Sequence, residues 1–119
     1  MEQPSKVMKR SLRQLAALAH DEELRRALLP LAAAFEEWRA GRLESADLVE
    51  VIHQFHDGQA REIWKRYTYD PDTGVAQAIA SGVIDRDKVP SDVLEHLRNA
   101  IQHFAKDPRA PIRPGSTEE

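Results

Sequence analysis

Residues Ser45–Tyr69 read SADLVEVIHQFHDGQAREIWKRYTY. The stretch holds two of the five histidines, one of the two tryptophans, one of the three phenylalanines and both tyrosines. Ser45 is suited to cap a helix, because its hydroxyl can accept from a free backbone N–H one turn on. Asp47 then falls in the first turn, where the helix dipole favours an anion. Leu48, Val51, Ile52 and Phe55 recur at helical spacing, and Ala60, Ile63, Trp64 and Tyr67 do so again. The two stripes are out of phase by roughly a quarter turn or more, at about 100° per residue. Two readings are open. Asp57-Gly58 breaks the element and Asp57 caps a second helix, or one long helix shows different faces to different neighbours. Gly58 costs a helix about 1 kcal/mol relative to alanine, which packing overrides. In the continuous reading His53 and His56 join the later face.

Upstream, Met8, Leu12, Leu15 and Ala19 repeat at four, three and four, which predicts a helix from Ser5 to about His20. Lys6, Lys9, Arg10 and Arg13 make this end basic. Against Glu2 they leave +3 over residues 1–19, so the remaining hundred residues carry −6 of the net −3. Asp21 reads as the next N-cap, with Glu22 and Glu23 behind it. Leu24, Leu28, Leu31, Phe35 and Trp38 then repeat at four, three, four and three, the strongest amphipathic signal in the chain. The short connection predicts an antiparallel hairpin of these first two helices. Pro30 is expected to kink the second or to start a new helix. Gly41 suits the left-handed position after a helix end.

Downstream, Asp70-Pro71-Asp72-Thr73-Gly74 reads as a turn by composition. Val75, Ala76, Ile79 and Ala80 predict a short helix stopped by Gly82, with Val83 and Ile84 tucked into the core. Pro90-Ser91-Asp92 opens a last helix whose apolar face is Val93, Leu94, Leu97, Ile101 and Phe104. Residues 107–119 carry three prolines and little apolar content, and are expected to be a disordered tail.

The 119 residues predict one domain, over residues 1–106. A hydrophobic content of 41% supplies a modest core, and no apolar run is long enough for a membrane span. The N-terminus lacks the apolar stretch of a signal peptide, which points to the cytoplasm. The mild negative charge argues against a dedicated nucleic-acid binder. There is no cysteine, so disulfides and thiolate metal sites are excluded. Twelve arginines against five lysines suit a GC-rich bacterial genome.

Several chemistries fail on spacing. A calcium loop placed on Gly41 puts Trp38 and Ala40 where oxygen ligands are required. A helix-turn-helix centred on Gly58 places His53, Asp57 and Gln59 where packing residues belong. There is no glycine-rich phosphate loop and no nucleophile elbow. Two constellations remain. His53, His56 and Asp57 lie three and four residues apart, so they can share one helix side. Imidazole and carboxylate suit zinc, iron or manganese, with His96 or His103 available to complete a set. The other group is Arg61, Trp64, Lys65 and Tyr67, with Arg66 and Tyr69 beside it. Tryptophan, tyrosine and arginine are enriched at binding hot spots. Here Trp64 and Tyr67 are expected to be core, with the cations solvated.

The expectation is an all-α fold, a compact bundle of five or six helices. Its function is expected to be non-enzymatic, through protein–protein contacts as a homodimer or with another protein, and without a cofactor. The alternative is a metal-dependent enzyme using His53, His56 and Asp57.

Overall fold

The computed structural model describes residues 5–106. The described residues are mainly helical, with no strand among them. Helix α1 spans Lys6–Arg39, α2 Ser45–Gln54, α3 Arg61–Tyr69, α4 Pro71–Ser81, α5 Ser91–His96 and α6 Arg98–Lys106. A π-helical turn, Phe55–Ala60, joins α2 to α3, and a 3-10 turn, Arg86–Lys88, precedes α5. The expected tail, residues 107–119, lies outside the described residues.

The two helices expected upstream are one. Ser5 caps α1 by accepting from the Met8 N–H, and α1 then runs for 34 residues through Asp21. Between Ala19 and Glu23 the chain has no glycine or proline to stop it, so Asp21 does not act as a cap. The hairpin expected at Asp21 is therefore replaced by one continuous helix. At about 100° per residue, the Leu24–Leu28–Leu31–Phe35 stripe is displaced by about 160° from the Met8–Leu12–Leu15–Ala19 stripe. The phase jump that resembles a break carries the second stripe to a side of α1 where Leu28 and Phe35 stay exposed. Pro30 lies inside α1, exposed, and starts no new helix.

The antiparallel pairing occurs later in the chain. Gly41 adopts φ 82° and turns the chain after α1, as its position predicts. Arg42 closes the turn with two hydrogen bonds to Glu37, at 2.8 and 2.9 Å. Ser45 does not cap α2; Glu44 holds that position. The Ser45 hydroxyl instead accepts from Trp38 Nε1 at 2.9 Å, pinning the start of α2 to the end of α1. The run α2–π–α3 then returns along α1.

The π turn resolves the phase mismatch within Ser45–Tyr69. It adds about one residue to the helical count, which rotates everything after it back by about 100°. Leu48, Phe55, Ile63 and Tyr67 then fall within about 40° of one line. Leu48, Ile63 and Tyr67 are buried and Phe55 is half-buried, so this is the inward face. The chain at Asp57-Gly58 neither breaks nor continues as plain α-helix.

The stretch expected as a turn at Asp70–Gly74 starts a helix. The Asp70 side chain accepts from Thr73 N–H, and Pro71 takes the first helical position, where a missing N–H costs nothing. Helix α4 is the centre of the core: Val75, Ala76, Ala78 and Ile79 are buried. It packs on α1, α3 and α6. Gly82, at φ 85°, stops it, and Ile84 enters the core behind it as expected. The expected last helix is divided at Leu97, with Val93, Leu97, Ile101 and Phe104 all buried. These residues form one core with Leu12, Leu15, Ala16 and Ala19 of α1.

The result is elongated, 57 × 32 × 22 Å, and not the compact bundle expected. A helix of 34 residues is about 51 Å long, which sets the long dimension. Helices α4–α6 cover the first half of α1, and α2–π–α3 runs along the second half. Leu48 is buried but stands outside the main core, so α1 and α2 have their own small seam at the far end.

Candidate interaction surface

The four residues read as a binding cluster separate. Tyr67 is buried and belongs to the core. Its hydroxyl donates to Glu23 Oε2, while Arg66 Nη1 donates to the other oxygen of the same carboxylate. The Tyr67 ring stacks on His20, with centroids 5.8 Å apart. Burial holds the Tyr67 hydroxyl well above the usual tyrosine range, and the hydrogen bond to Glu23 pushes it the same way. Lys65 is half-buried and pairs with Glu62 at 3.7 Å. Arg61 and Trp64 are exposed.

Trp64 corrects the expectation that its ring is core. On the rephased α3 it sits about 60° from the Leu48–Tyr67 line, on the flank. It makes an edge-to-face contact with the exposed Tyr69, centroids 5.5 Å apart. Ile63 and Tyr67 take the inward positions instead.

The flank of Trp64 can be traced through both helices. A cleft of about 280 Å³ opens between α1 and α3. Glu23, Arg26 and Pro30 line it from α1, and Gln59, Glu62 and Arg66 from the other side. Val83, on the connection after α4, also lines it, so α4–α6 stand on this side of the two-helix layer. On α1, the stripe Leu24, Leu28, Leu31 and Phe35 turns away from Glu23, Arg26 and Pro30. On α2–π–α3, Val49, Ile52 and Trp64 turn away from Gln59, Glu62 and Arg66. Both sets therefore share the opposite side of the layer.

No described element covers that side. Leu28 is 43%, Phe35 38%, Val49 51% and Trp64 45% exposed. Leu24, Leu31 and Ile52 lie half-buried between them. Phe35 and Trp38 meet edge to face with centroids 6.5 Å apart at the far end. Scattered exposed apolar residues are ordinary; Leu28, Phe35, Val49 and Trp64 fall on one side of the layer. The sequence pattern contained this face, in the four-three spacing of α1, and the expected hairpin had buried it.

The histidine cluster is placed differently. His53, His56 and Asp57 are all exposed, the latter two in the π turn. His56 Nδ1 lies 3.3 Å from Asp57 Oδ1. His96 lies 3.4 Å from Asp72, and His103 meets Phe104 edge to face. Among the described residues, no three histidine, aspartate or glutamate side chains are brought together as a metal site requires. Among the described residues, no helix is long and apolar enough to cross a membrane.

The charged walls of the cleft are already engaged. Arg66 holds Glu23, Arg26 pairs with Glu22 at 2.8 Å, and Glu62 with Lys65. Comparison of the chain with protein-family models, with curated proteins and with solved structures finds no match in any of the three.

Proposed function

We propose that this is a non-enzymatic protein that works by self-association, the apolar face of its α1/α2–π–α3 layer packing on the same face of a second copy. The observation that carries this is the exposure of Leu28, Phe35, Val49 and Trp64 on the side of the layer opposite α4–α6. Two such layers, face to face, form a four-helix arrangement around a shared apolar seam. A face-to-face pair of identical surfaces closes as a two-fold dimer, the commonest form of soluble oligomer.

The dimensions suit a stable pair. The run Ser45–Tyr69 is about 37 Å long and two helices side by side are about 20 Å wide, giving a face of roughly 740 Å². Standard interfaces bury about 800 Å² per partner. Trp64 and Phe35, as large aromatics towards the two ends of the seam, serve as anchors.

Sedimentation equilibrium of the full chain at micromolar concentration tests this. The expected mass is twice 13.5 kDa. Phe35→Glu should return the protein to a monomer with its helical content intact, because Phe35 lies outside the main core. A wild-type protein that remains at 13.5 kDa across the concentration range would contradict the proposal.

A further inference from the structure

The cleft between α1 and α3 lies on the side of the layer away from the apolar face, so the self-association proposed above leaves it open. Its floor is apolar: Ala27 and Ile63 are buried and Val83 is half-buried. Its volume of about 280 Å³ falls at the lower edge of the range for small-ligand sites, about 300–1,000 Å³. The polar groups around this floor decide what charge it accepts. Arg26 is paired with Glu22, and Arg66 with Glu23. Arg66 Nε has no hydrogen-bond partner, but it is buried out of a ligand's reach. The arginine donors of the cleft are thus occupied or hidden.

Its acceptors are open. Glu62 is exposed, and its ion pair with Lys65 is 3.7 Å long, beyond hydrogen-bond distance. Pro30 has no N–H, so the carbonyl of Arg26, four residues back, lacks the helical donor that would close on it. Both residues line the cleft, which places that carbonyl at its wall. Gln59 adds an amide oxygen from the π turn, a kind of irregularity that recurs at functional sites. Three acceptors from α1, the π turn and α3 therefore surround one apolar floor. An alkylammonium group matches that set, with three N–H donors and no acceptor. We infer that the cleft binds a primary alkylammonium group, its charge on Glu62, its other donors on the Arg26 carbonyl and Gln59, and its chain on Ala27, Ile63 and Val83. A free amine and the end of a lysine side chain carry the same group.

The test is an NMR titration of the isotope-labelled full chain with n-pentylamine, n-pentanol and pentanoate near neutral pH. Pentylammonium should shift the Gln59 side-chain amide and the Ile63 and Val83 signals saturably, with the millimolar dissociation constant expected of so small a ligand. Pentanol and pentanoate should bind at least about threefold more weakly. Glu62→Gln should weaken the amine by about three- to fivefold and leave pentanol unchanged. Pro30→Ala returns an N–H to the Arg26 carbonyl. It should raise the melting temperature and still weaken the amine, which separates lost binding from a lost fold. Nα-acetyl-lysine methylamide distinguishes the two sources: binding as tight as pentylamine assigns the site to a lysine side chain, and rejection assigns it to a free amine. Pentanol or pentanoate binding as well as the amine, no saturable shift at these residues, or an affinity unmoved by Glu62→Gln or by Pro30→Ala overturns the inference. A monomeric wild-type chain in sedimentation overturns the self-association alone and leaves this site standing.

Discussion

The Tyr67 hydroxyl donates to the Glu23 carboxylate across 44 positions of sequence, and this bond fastens α3 to the middle of α1. It stands just past the buried stripe Leu12, Leu15, Ala16 and Ala19 of α1. Arg66 donates to the same carboxylate, so Glu23 receives two donors in a partly buried position. The bond depends on the π turn. Without its extra residue, Tyr67 would point about 100° away from Glu23.

Alkaline pH should loosen this joint. The folded-state value of Tyr67 is raised, so the folded protein keeps a proton that the unfolded chain loses above about pH 10. The unfolded state then binds fewer protons, and stability falls as pH rises from there. Below about pH 10 the contribution is fully present. Chemical denaturation at several alkaline pH values should show the decline, and Tyr67→Phe should flatten it. At neutral pH Tyr67→Phe should cost about 1–2 kcal/mol for the lost bond to a charged acceptor. An equally steep alkaline decline in the Phe variant would count against this role.

Two glycines should respond oppositely to alanine. Gly58 lies in the π turn with nothing within 4 Å of an added methyl group. Gly58→Ala removes unfolded-state freedom and should stabilise by about 0.5–1 kcal/mol. Gly74 is buried where α4 crosses α3, and a methyl group there would sit 2.9 Å from the Arg66 carbonyl oxygen. Gly74→Ala should destabilise by about 1–3 kcal/mol, because that backbone cannot yield cheaply. Urea midpoints of the two variants on the same side of the parent would contradict the packing described at one of the sites.

Trp64→Ala should separate stability from association. Half-exposed on the flank of α3, Trp64 contributes less to folding than a core aromatic. Its removal should cost about 1 kcal/mol or less, against about 3–5 kcal/mol for Phe104→Ala in the α6 core. The same change should weaken the dimer measurably in sedimentation. A collapse of the fold on Trp64→Ala would mean the ring is packed inside after all.

The apolar stripes were legible in sequence, because helical spacing alone places Leu12, Leu15, Val93, Leu97, Ile101 and Phe104 inward. What covers each stripe was not. A phase jump between Ala19 and Leu24 has the same letters whether a helix ends or runs on and leaves its second stripe largely open. The rotation within Ser45–Tyr69 was visible too, but nothing in FHDGQA marks a π turn, whose extra residue is compensated by tertiary packing. Trp64 was misplaced for a related reason. It lies about 100° from Ile63 and 60° from Tyr67, and the π turn sets α3 so that Ile63 and Tyr67 face inward and Trp64 falls on the flank. The Glu23–Tyr67–Arg66 joint is long-range and left no local sign. The apolar face was readable as a four-three repeat, and it emerged as a surface only once α1 proved continuous.

The most direct test of that surface uses Trp64 as its own reporter. Trp38→Phe leaves Trp64 as the sole tryptophan, since the chain has two. Its fluorescence is then followed while the protein is diluted from high to low micromolar concentration and below. The self-association proposed here predicts a blue-shifted, quencher-protected emission at high concentration that moves to that of a water-exposed indole on dilution, in step with the loss of the dimer. An emission that is water-exposed and quencher-accessible at every concentration would contradict it.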